Sequence, residues 1–94
     1  IDNYTKDLNS LIDPVEKWKS FGFFVQAIDG NNIEEIDDAI IKAKQNKGMP
    51  SMIVLNTIKG KGVSFVEEAL VGSHSMIITS ELLEKARTEL SEEV

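Results

Sequence analysis

Two lysines alternate with two glycines at Lys59-Gly60-Lys61-Gly62, just after the apolar run Met52-Ile53-Val54-Leu55 and the polar pair Asn56-Thr57. Ammonium groups on a backbone that glycine lets approach closely suit an anion such as a phosphate. The same residues also fit a solvated loop in which the lysines only keep the glycines mobile. Further on stands His74, the one histidine of the chain. An imidazole can donate to a substrate oxygen or move a proton near neutral pH. Its flanks, Gly72-Ser73 and Ser75, equally suit a plain loop position. With one histidine and no cysteine, neither a histidine pair nor a thiolate metal site can form in these 94 residues. Asp29-Gly30-Asn31 offers a carboxylate and a carboxamide, though a turn and a helix cap account for both.

Period and punctuation give the elements that must position these groups. A continuous apolar run bounded by turn residues reads as a buried parallel strand, here 51–57. Ligands of open α/β sheets sit beyond the carboxyl ends of such strands. Asp13-Pro14-Val15-Glu16 starts a helix: Asp13 caps, Pro14 suits the first helical position and Glu16 completes a capping box. That helix spans 14–21, and Gly22 ends it. Residues 23–28 read as a strand, with Phe23 and Phe24 pointing to opposite, covered faces. Trp18, Phe21, Phe23 and Phe24 read as core or subunit-contact residues. Asn32 and Glu35 form a second capping box, and Ile33, Ile36, Ile40 and Ala43 recur on one helical face. Gly48 ends that helix and Pro50 bars its continuation. Thr79 or Ser80 caps a last helix with the stripe Leu82, Leu83, Ala86 and Leu90. Its acidic tail, 89–94, is expected to fray. Residues 1–12 show no period and read as loop.

The order helix, strand, helix, strand, loop, helix predicts an α/β fold with parallel strands. Two strands with a helix on each face make a poor domain alone. The chain therefore reads as part of a doubly wound parallel-sheet domain, completed by another chain, another segment or a symmetry mate. Bulk composition sets the frame. Ten basic and sixteen acidic residues give a net charge of -6, which argues against nucleic-acid binding. Apolar residues make up 41% and charged residues 28%, as in a globular domain. No apolar run approaches the ~20 residues that span a bilayer, and no signal-peptide pattern is visible. The absence of cysteine makes the cytoplasm the default location. A chain that begins at Ile1 rather than Met is expected to continue upstream.

Four motifs in order resemble the thiamine-diphosphate-binding domain of the transketolase family, in its carboxyl-terminal half. Glu16-Lys17-Trp18-Lys19-Ser20-Phe21-Gly22-Phe23 is similar to E-K-W-x-x-F-G-W. Val25 to Asn31 is similar to V-x-x-I-D-G-H, with Asn in place of His. Lys47-Gly48-Met49-Pro50 is similar to K-G-K-P. Thr57 to Phe65 is similar to T-V-K-G-K-G-V-S-F, followed by an acidic residue (Glu67) and a histidine (His74).

The resemblance implies an enzyme that transfers a two-carbon ketol unit between sugar phosphates. It implies thiamine diphosphate as cofactor, anchored through Mg²⁺ by oxygen ligands. It assigns His74 to cofactor or substrate, while Lys59 and Lys61 suit an anionic substrate or the diphosphate. The family's metal ligands come from a G-D-G segment and a D-x-N segment. The G-D-G segment does not occur here, so partner subunits or segments must supply it, together with a pyrimidine-binding domain. A hetero-oligomer is implied. The D-x-N segment falls at Asp2-Asn3-Tyr4 in one of two registers. One places Tyr4 at the ligand position; the other places Asn3 there, with the Thr5 carbonyl as second contact. A carboxamide oxygen suits a hard cation better than a neutral tyrosine, which favours Asn3 and Thr5. The segment that should read Q-x-D-G is Asp7-Leu8-Asn9-Ser10. These departures support an alternative, a non-catalytic scaffold subunit that has lost the metal–cofactor site. A third reading is a stand-alone anion-binding βα module.

Overall fold

A computed structural model describes Tyr4 and residues 13–92. They divide into two compact units, one ending at Thr57 and the other taking up the chain from Ile58.

The first unit opens with helix α1, Pro14–Ser20. The Asp13 carboxylate accepts from the Glu16 N–H at 3.2 Å, Pro14 occupies the first turn, and Gly22 follows the helix at φ +89°. Strand β1 runs Phe24–Asp29, helix α2 Ile33–Gln45 and strand β2 Ser51–Asn56. The strands pair in parallel, from Phe24 opposite Ser51 to Asp29 opposite Asn56. A parallel return needs a crossover, and α2 supplies it. The α/β reading with parallel pairing therefore holds.

β1 begins at Phe24, one residue later than the apolar pattern suggests. The Phe23 N–H donates to the Trp18 carbonyl at 3.2 Å, whereas the Phe24 N–H donates to Pro50 across the sheet at 2.8 Å. The Phe23 ring meets Trp18 edge-on, with centroids 4.9 Å apart; Phe21 meets it at 6.0 Å. Phe23 thus belongs to the aromatic contact with α1 rather than to the ladder. Full cover of both strand faces is not observed. Phe23 and Phe24 are half-buried, and Leu55 is exposed.

Helix α2 also packs differently from its apolar stripe. Ala39 is 1% exposed, the one fully buried residue among those described, while Ile33 is 78% exposed. The packed face runs through Ile36, Ala39, Ala43 and Asn46, leaving Ile33 and Ile40 outside. Residue size explains the rotation. The small Ala39 lets the helix backbone come close enough for the Gln26 amide to donate to the Ala39 carbonyl at 2.9 Å. Asn46 closes the far end, its amide donating to the Met49 carbonyl at 2.9 Å and the Ser51 hydroxyl at 3.2 Å.

The second unit contains helix α3, Ser64–Ala69, a 3₁₀ segment, Leu70–Ser75, and helix α4, Ser80–Glu92. The stretch expected to be a loop thus carries a short helix. Thr79 is the cap of α4: its hydroxyl accepts from the Leu82 N–H at 3.2 Å. Helix α4 runs to Glu92, and residues 93 and 94 of the tail expected to fray lie outside the described residues.

The close approach at Ala39 gives a direct test. Ala39→Leu forces a larger side chain between α2 and β1 and should lower stability by about 1–3 kcal/mol. Chemical denaturation followed by circular dichroism measures it; an unchanged midpoint would contradict the tight contact.

Candidate functional site

The chain leaves β2 at Asn56 and enters a tight turn at Lys59–Gly62. The Lys61 N–H donates to the Ile58 carbonyl at 3.2 Å, and the Val63 N–H to the Gly60 carbonyl at 3.0 Å. Gly60 sits at φ +73°, where an L side chain is strained. A Cβ built there would also collide with the Val66 side chain. Glycine is therefore required twice at this position. The fold places Lys59 and Lys61 on either side of it, both exposed to solvent. Two exposed ammonium groups on a hydrogen-bonded turn can meet an anion without first breaking an ion pair.

His74 is exposed on the 3₁₀ segment. That segment is fixed by the Ser73 hydroxyl donating to the Leu70 carbonyl at 3.0 Å and by the Met76 N–H donating to the Ser73 carbonyl at 3.2 Å. Leu70, which joins α3 to it, has φ +52° and ψ -130°. Among the described residues it is the one non-glycine with positive φ. A residue held in this region costs on the order of 1–3 kcal/mol and persists only when its surroundings impose it.

Lys59, Lys61 and His74 thus fall in one unit, separated along the chain by α3. No hydrogen bond or ion pair between them is seen. Asp29 and Asn31 fall in the other unit. The Asp29 carboxylate accepts from the Asn31 N–H at 2.9 Å, and Asn32 caps α2 by accepting from the Glu35 N–H at 3.1 Å. Asp29 therefore does turn work. Asn3 and Thr5 lie outside the described residues. Tyr4, from the competing register, is exposed.

Sequence reasoning missed Ser64 and Glu89. The Glu89 carboxylate accepts from the Ser64 N–H at 2.8 Å and from the Ser64 hydroxyl at 2.5 Å. These two bonds, the hydroxyl's first, hold its pKa below the usual carboxylate range against a small desolvation penalty, with Lys85 adding a lesser pull. One signal was available: Ser64-Phe65-Val66-Glu67 has the S-x-x-E spacing of a helix start. Nothing in the pattern pointed to Glu89, which lies 25 residues away. An open depression of about 250 Å³ lies here, lined by Gly62, Ser64, Glu67, Glu89 and Glu92. Its three carboxylates would repel a diphosphate or sugar phosphate. Among the described residues no group of His, Cys, Asp or Glu could hold a metal ion. The described residues thus provide cations for an anion but do not by themselves form a metal centre.

Two parallel strands joined by a crossover helix mark the class, an α/β domain. The particular family follows from comparison. Residues 1–93 match the family described as transketolase, thiamine diphosphate binding domain, and the chain belongs to it. The chain is 50% identical, over 99% of its length, to the 6-deoxy-6-sulfo-D-fructose transketolase subunit SqwG of Clostridium sp. (strain MSTE9), covering 34% of that protein. It is 30% identical over its full length to an apulose-4-phosphate transketolase subunit of Phocaeicola vulgatus, covering 33% of it. A 1-deoxy-D-xylulose-5-phosphate synthase of Clostridium acetobutylicum is 45% identical over 56% of the chain, which covers 8% of that enzyme. The chain thus spans about a third of the length of the two transketolase subunits. No solved structure matches. No helix among the described residues is long and apolar enough to cross a membrane.

The turn yields its own prediction. Gly60→Ala should destabilise the unit from Ile58 onward by roughly 1–3 kcal/mol through positive-φ strain and collision with Val66. Denaturant titration would show it, and Gly72→Ala, where a Cβ meets nothing within 4 Å, serves as control.

Proposed function

We propose that this chain is part of a thiamine-diphosphate-dependent, transketolase-like enzyme that transfers a two-carbon ketol unit by cleaving and forming a carbon–carbon bond. The observation that carries the reading is the match to the cofactor-binding domain across residues 1–93. The cofactor supplies a carbanion equivalent next to the ketone, and the protein supplies binding and orientation. In this reading Lys59 and Lys61 receive the anionic end of a sugar substrate. The names of both transketolase relatives carry an acidic substituent on a sugar, sulfo in one and phosphate in the other. His74 contacts substrate or cofactor oxygens and donates or accepts a proton there.

The diphosphate is anchored through Mg²⁺, to which Asn3 and the Thr5 carbonyl contribute oxygen ligands. The remaining ligands and a pyrimidine-binding domain come from partner subunits or segments, so the working form is an oligomer. Both relatives are named as subunits, which supports such partners. A cytoplasmic setting and a small-molecule rather than nucleic-acid ligand belong to the same proposal.

Calorimetry on the assembled protein should show thiamine diphosphate binding that depends on Mg²⁺. His74→Ala should then lower kcat by about 100-fold, the order expected of a proton-transfer group. Lys59→Ala with Lys61→Ala should raise KM for an anionic ketose while leaving kcat nearly unchanged. Assembly without metal-dependent cofactor binding would establish the scaffold alternative instead.

A further inference from the structure

Helix α3 is too weak to hold itself. It has six residues, well short of the ~12–15 that an isolated helix needs for even marginal stability. Its N-cap is Val63, which makes no side-chain capping bond. Its other end runs into the strained Leu70. Something outside α3 must therefore fix it. The Glu89 carboxylate does so from α4, taking both the Ser64 N–H and the Ser64 hydroxyl. It satisfies one of the N–H groups left without a partner at the start of α3, that of the first helical residue, Ser64. Beside it, the Lys85 ammonium stands 5.9 Å from the centre of the Phe65 ring, a second tie between the same two helices.

We propose that Glu89 is a positioning residue. It anchors the first residue of α3 and so fixes both the Lys59–Gly62 turn before α3 and the Leu70–Ser75 segment, with His74, after it. The clamp itself is independent of what the protein catalyses; its consequence for turnover rests on the ketol-transfer reading above.

The clamp carries a pH signature. The charged groups around Glu89 are Glu67 from α3 and Lys85 and Glu92 from α4. Its folded pKa is lowered, so its contribution is fully present above the ordinary glutamate value of about 4.3 and is lost as pH falls through the lowered folded value. Glu89→Gln separates charge from geometry. A glutamine can accept from the Ser64 N–H with its oxygen and donate to the Ser64 hydroxyl with its amide, and it does not titrate.

The test is hydrogen exchange by mass spectrometry on the intact assembled protein, with kcat and KM measured on the same samples. In Glu89→Ala, exchange across 60–75 should quicken by about tenfold or more, with 24–56 unchanged. Kcat for ketol transfer should fall several-fold while KM for thiamine diphosphate stays near wild type. Glu89→Gln should restore most of the protection and lack the acid-side loss seen in wild type. Unchanged exchange across 60–75 in Glu89→Ala would overturn the proposal, as would an equal rise over 24–56. So would normal kcat alongside fast exchange. Fast exchange confined to 60–75 in a protein with no ketol transfer would uphold the clamp and reject the functional reading instead.

Discussion

The parallel pairing of β1 with β2 is the constraint on which the rest of the first unit depends. Because Phe24 faces Ser51 and Asp29 faces Asn56, both strands end at the same level. Both outgoing turns therefore leave from the carboxyl ends, where α/β sheets gather their ligands. Asp29 sends the chain into α2, and Asn56 ends β2. The two exits are tied together: the Gly30 N–H donates to the Asn56 carbonyl at 2.8 Å. A Cβ on Gly30 would lie 2.7 Å from the Leu55 Cβ and 2.6 Å from the Thr57 Cγ2. Only glycine allows the turn after β1 to come this near to the end of β2. The glycine of the V-x-x-I-D-G-N motif is thus a packing requirement of the parallel pair.

Pairing alone does not close a core. Ala39 is the one fully buried residue among those described, and Ile33, Ile40 and Leu55 keep much of their apolar surface exposed. A parallel sheet is stable when both faces are covered and the strands have further neighbours. The open surface here is in keeping with a domain that is completed by partner subunits or segments, as proposed for this chain.

Both long helices place a polar residue on the face that packs. At the C-cap of α2 it is Asn46, which ties the helix end to Met49 and Ser51; on α4 it is Glu89, which takes Ser64. This explains where reading by hydrophobic period went astray. The stripe Ile33, Ile36, Ile40 and Ala43 is real, yet the contact is centred on Ala39, the smallest side chain and the one that lets backbone approach strand. On α4 the stripe is likewise displaced, toward Leu82, Ala86 and Glu89, leaving Leu83 and Leu90 exposed. Period counts apolar residues and weighs a large exposed isoleucine above a small buried alanine. It gives no credit to a carboxylate whose partner is distant in sequence. The aromatic cluster was legible as a cluster, but the division of Phe23 to α1 and Phe24 to the ladder depends on which carbonyl each N–H meets.

By itself the sequence determined the α/β class, the two strands, their helix caps at Asp13 and Asn32, the lysine–glycine turn and the family. These are local properties, set by apolar period, turn residues and short motifs whose physics acts within a few residues. Tertiary structure alone decided the rotation of α2 onto Ala39. It also decided the bond from Ser64 to Glu89. Each of these turns on how closely two segments approach in space, and that distance is fixed by residue size and hydrogen-bond geometry between positions the chain keeps far apart.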